Sequence, residues 1–165
     1  MDKTKIESGN LRKIKLEYDK LRVQYNLPDF TFMNETFEIE SIEVEETELF
    51  IKRMRKHMTE KIFFVLRSLE VFLNPQNAPL FMMNVLKSLS SVDRESIRDL
   101  YKEISEYEIA AFGLEAKYDE KKEIEFIKKV CNSWKGFSED LVKIYKIMKE
   151  ANKKIEQKHS KSYLG

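Results

Sequence analysis

Apolar residues recur at helical spacing along most of the chain, most clearly over residues 48 to 73, where Ile51, Met54, Met58, Ile62, Val65, Leu69 and Phe72 share one face. At about 1.5 Å per residue this stretch would run roughly 40 Å, about the diameter of a small domain, so other helices can pack along all of it. In its first half Lys52, Arg53, Arg55 and Lys56 take positions beside the stripe. From Ile62 onward Phe63, Phe64, Leu66, Val71 and Leu73 spread apolar surface around the cylinder, so the second half is expected to be buried on several sides.

The other elements follow from the same periodicity and from capping residues. Asn10 is placed to cap a helix with the stripe Leu11, Ile14, Tyr18, Leu21 and Tyr25, which Pro28 ends. Asp29 caps a short helix in which Phe30, Met33 and Phe37 share a face. Between Glu35 and Glu48 seven glutamates occur without a Lys or Arg, and the segment reads as a loop or broken helix anchored by Ile39, Ile42 and Val44. Thr47 is the expected cap of the long helix. After the turn NPQNAP, Pro79 opens a short apolar helix, and Asp93 caps the next, with Val92 and Ile97 as its staple and the stripe Ile97, Leu100, Tyr101, Ile104, Tyr107 and Ala111. Gly113 is its expected stop. Asp119 caps a helix burying Ile124, Ile127, Val130, Cys131 and Trp134, which Gly136 is expected to end. A last helix carries Leu141, Ile144, Tyr145, Met148, Ala151 and Ile155.

These elements define an all-α fold, a single-domain antiparallel bundle of about six to seven helices around a long central helix at 48–73. Residues 1–9 are expected to fray, 10–157 to form the bundle and 158–165 to be a flexible basic tail. A chain of 165 residues can bury roughly two thirds of its unfolded surface. Only 4 glycines and 3 prolines interrupt it, which favours long helices over sheet. One cysteine, Cys131, excludes an internal disulfide and a cysteine zinc site, and suits a reducing, cytoplasmic setting. No apolar run approaches the length of a membrane span, so no membrane partner is expected, and the charged N-terminus shows no secretory signal. Charged residues make up 36% of the chain but sum to only +1, so any electrostatic function must be local.

Three segments, NLPDFTFMNETFEIE at 26–40, the long helix after it, and YDEKKEIEFIKKV at 118–130, together resemble a group of small helical archaeal proteins of uncharacterised function. The resemblance spans about residues 11 to 150. It implies a cytoplasmic helical domain and brings no catalytic residues with it.

Several residue groups are candidates for chemistry. Lys52, Arg53, Arg55, Lys56 and Lys61 concentrate positive charge on the long helix and could hold phosphates or nucleic acid, or be neutralised by the acidic 35–48 segment. The apolar short helix offers Phe81, Met82, Met83 and Leu86 as a partner surface if the fold leaves it exposed. Glu103 with Glu106 and Glu120 with Glu123 are i, i+3 pairs on successive helices. Their spacing resembles the magnesium site of all-α nucleotide pyrophosphohydrolases, although 22 glutamates make such spacings common. A lysine-rich last helix reads as a solvated face, and the terminal QKHSKSYLG has an imperfect likeness to peptides that dock on sliding clamps. His57 is expected in solvent, His159 in a lone Glu-x-x-His with Glu156, Arg67 paired with Glu70, and Cys131 in the core. No nucleophile motif, glycine-rich phosphate loop or ligand spacing is present. The expectation is therefore a cytoplasmic helical protein that binds a macromolecule, more plausibly a protein than a nucleic acid, without cofactor. Self-association is compatible with its generous aromatic and methionine content.

Overall fold

The computed structural model describes residues 9–42 and 50–162. The fold is all-α: six helices, with no strand among the described residues. They are α1 (Gly9–Tyr25), α2 (Phe30–Phe37), α3 (Phe50–Leu73), α4 (Leu80–Ser88), α5 (Ser91–Ala116) and α6 (Glu120–Ser162). Single 3₁₀ turns occupy Ile39–Ser41 and Pro75–Asn77. The chain divides into two compact units, one from Met1–Lys61 and Ile109–Cys131, the other from Ile62–Glu108 and Asn132–Gly165. Helices α3, α5 and α6 each contribute a segment to both units.

In the first unit the α1 stripe buries Ile14 and Tyr18 completely. The helix closes at Asn26, whose positive φ of 52° lets the Leu27 N–H reach back to the Arg22 carbonyl at 3.3 Å. This is the left-handed cap that asparagine tolerates better than most residues. α1 begins at Gly9, so Asn10 lies inside it rather than capping it. Asp29 caps α2 as its position implies, its Oδ1 accepting the Phe32 N–H at 2.8 Å. The Tyr18 hydroxyl donates to the Pro28 carbonyl at 2.7 Å and the ring meets Phe30 edge-on, which ties the α1–α2 turn to α1. Glu38 at φ 56° ends α2, and Ile39 and Ile42 then turn inward, so the acidic segment begins as a broken helix. Val44 and Thr47 lie outside the described residues. Met54, Met58, Ile127 and Val130 complete this core, each fully buried.

In the second unit Ile62, Leu69, Ile97 and Ile104 are almost wholly withdrawn from solvent, each contributing about 1.5–3 kcal/mol of burial. Tyr107 packs edge-on to Phe137 and shares a 2.7 Å hydrogen bond with the Ser133 hydroxyl. The start of α5 differs from its sequence expectation by one turn. Ser90 is the cap, and Asp93 is the reciprocal acceptor of a capping box, taking the Ser90 N–H at 2.9 Å while its own N–H goes to the Ser90 hydroxyl. Val92 is exposed and staples nothing.

Two further expectations are corrected. α5 runs past Gly113 to Ala116, and Gly136 lies inside α6, which continues without interruption to Ser162, beyond residue 157. Neither glycine has positive φ, so neither supplies the left-handed turn that makes glycine a stop. The apolar second half of α3 is also less enclosed than its composition suggests, because Phe64 is 72% exposed.

Candidate functional site

Among the five cations of the basic run, Arg55 departs furthest from expectation. It is 1% exposed. Its Nε donates to Glu123 Oε2 at 2.8 Å, Nη2 reaches the other carboxylate oxygen at 3.4 Å, and Nη1 meets Glu115 at 2.7 Å. Burial alone would disfavour the charged guanidinium, but these carboxylate bonds outweigh it and raise its pKa. Glu115 is partly exposed and also takes Lys56 at 3.5 Å. Partial burial works against its charge, yet the bond and charge of Arg55 hold it below its ordinary value. Lys61 donates to the Thr36 carbonyl and lies over the Phe37 ring at 5.9 Å, and Lys52 and Arg53 are half-buried. Two of the five cations of the expected phosphate-binding patch, Arg55 and Lys56, thus face carboxylates of α5 and α6, while residues 43–48 of the acidic segment lie outside the described residues. His57 is half-buried, within 3.4 Å of the Ser41 hydroxyl and 3.8 Å of Glu60.

Of the four carboxylates whose spacing resembles a magnesium site, two have partners within the first unit. Glu123 is fully buried against Arg55, and Glu120 accepts the Tyr25 hydroxyl. Glu103 stands in the second unit, in a shallow acidic recess with Glu95, Asp99 and Asp140, where Asp140 is bridged by Lys143 at 2.7 Å. Among the described residues no three His, Cys, Asp or Glu side chains come together to hold a metal ion. Cys131 is buried 3.4 Å from the Met33 sulfur, and burial pushes its thiol up to about 12. That position gives it no nucleophilic role.

Among the described residues the apolar short helix offers no open apolar patch. Met82 and Leu86 are buried, Met83 is half-buried, and the Phe81 side chain lies outside the described residues. Met82 instead forms part of a recess of about 330 Å³ in the second unit, between the end of α3, the start of α4 and the middle of α6. Leu69, Phe72 and Ile144 are its most deeply buried other walls, with Leu141 and Met148 half-exposed above them. Exposed Ser68 and Tyr145 stand at opposite walls. The Ser68 hydroxyl donates to the Phe64 carbonyl at 2.8 Å, which leaves the surface almost entirely hydrocarbon.

Sequence reasoning named Met82 and the two stripes but not the recess they make. Its one available signal was the breadth of apolar surface on α3 after Ile62, more than a single neighbour can cover. Residues 163–165, with the side chains of the expected clamp-like terminus, and residues 43–48 of the acidic segment lie outside the described residues. Among those described, no helix is long and apolar enough to cross a membrane. No family model, curated protein or solved structure matches the chain.

Proposed function

We propose that this protein works by binding a protein partner in a cytoplasmic setting, and that the apolar groove of the second unit is the docking surface. The observation that carries the reading is the groove itself: a contiguous hydrocarbon recess walled by three helices, with exposed Tyr145 on one wall and exposed Phe64 one turn before Ser68 on the other. Apolar surface of this kind is costly in water and is relieved when side chains of a partner fill it. A buried thiol and the lack of any visible disulfide partner suit a reducing compartment. The nucleic-acid alternative draws less support, because Arg55 and Lys56 already face carboxylates of the same unit.

The test is affinity capture from the native cell with wild type and with Ser68→Trp, a substitution at an exposed position that places an indole in the groove. The expected result is one protein retained by wild type irrespective of nuclease and lost with Ser68→Trp. Equal retention by both proteins, or retention that disappears on nuclease treatment alone, overturns the proposal.

A further inference from the structure

We infer that the occupant of this groove is an amphipathic helix with acidic flanks, an inference that rests on the groove being a docking site. Its α6 wall runs from Leu141 to Met148, two helical turns or about 10 Å, which matches the reach of apolar side chains at i, i+3 and i+7 of a second helix. The lining carries no ionisable group except the phenol of Tyr145, and it offers almost no polar surface to orient a polar small molecule.

Charge at the edges decides the flanks. On α3, exposed Arg67 lies three residues after Phe64 and four before Val71, hence on the same side as the groove wall. On α6, exposed Lys149 is held 6.0 Å over the Tyr145 ring, and exposed Lys146 and Lys153 continue its side of the helix at i−3 and i+4. Cations therefore border both long walls, and exposed Glu70 and Glu150, near them in sequence, lie outside the groove lining, which holds no carboxylate. A helix whose Leu or Phe ridge enters the recess would present its flanking residues to these cations, so Glu and Asp there gain attraction and Lys and Arg meet repulsion.

The experiment uses two labelled synthetic helical peptides with one Leu ridge, flanked by Glu in the first and by Lys in the second, titrated by fluorescence anisotropy into the full chain. The Glu peptide is expected to bind and to weaken as salt rises, and the Lys peptide to bind at least about tenfold more weakly. Arg67→Glu with Lys149→Glu should reverse that preference, and Ser68→Trp should abolish binding, with circular dichroism showing that each variant remains folded. Equal affinity for both peptides, lost on Ser68→Trp, overturns the acidic specificity while leaving the docking surface intact. Absence of binding by either peptide, or binding that survives Ser68→Trp, overturns both.

Discussion

A cation that joins an apolar stripe has left solvent, and Arg55 demonstrates the consequence. It stands four residues after Ile51, three before Met58 and seven before Ile62, in phase with the buried face of α3. Glu123 stands likewise four before Ile127 and seven before Val130 on α6. Opposite charges in phase with two apolar stripes were the legible sign of a buried pair. Counting Arg55 among its neighbouring cations concealed that sign. Glu123→Leu alone leaves the guanidinium with only the partly exposed Glu115 as a partner and is expected to cost about 3 kcal/mol in urea unfolding, whereas Arg55→Met with Glu123→Leu should cost far less. Losses from the single variant no larger than from the double would show that the pair is not desolvated. Tyr118 presents the opposite case. Its hydroxyl is buried and has no hydrogen-bond partner among the described residues. Tyr118→Phe is therefore expected to be neutral or to stabilise by up to about 1 kcal/mol, and a clear loss of stability would reveal a partner for that hydroxyl.

At the scale of elements, the chain announced its helices more faithfully than their ends. The stripes of α1, α5 and α6 and the caps at Asp29 and Asp119 follow from spacing and side-chain chemistry, both of which are local. Gly136 was illegible as an interior residue because a glycine is a helix stop only where the backbone turns left-handed, and that depends on what packs on either side. Here Trp134 and Phe137 are both buried, and their contacts keep the helix continuous through the glycine. A Cβ at Gly136 would meet nothing within 4 Å. Gly136→Ala is thus expected to raise stability by about 0.5–1 kcal/mol, read from the urea midpoint, and a decrease would mean that the helix breaks there. Glu38 behaves in the converse manner: held at φ 56° with its N–H on the Asn34 carbonyl, it occupies a conformation that glycine adopts without a Cβ penalty. The groove was legible only in its parts, since each wall is an ordinary amphipathic stripe and the gap between them belongs to tertiary packing.

Over the whole molecule the charges nearly cancel, so its response to pH is set by a few groups rather than by a global field. On the acid side, the hydroxyl and then the backbone N–H of Ser90 hold Asp93 below its ordinary value, and Arg55 does the same for Glu115. Their contributions are present above the ordinary carboxylate range and fade as pH falls through the lowered values. On the alkaline side the sign reverses. Burial raises the Cys131 thiol from 9.0 to about 12 and raises the Tyr18 phenol as well, so the folded chain keeps protons that the unfolded chain releases. The thiol's contribution is therefore intact below pH 9 and is lost between 9 and 12, by an amount on the order of 2–4 kcal/mol. Cys131→Ala should flatten that decline without removing it, because Tyr18 remains, while its small cavity lowers stability by a similar amount at every pH below 9. Urea unfolding of both proteins across this range checks the expectation. Parallel curves above pH 9 would show that the thiol titrates alike in the folded and unfolded chains, and hence that its site is open to water.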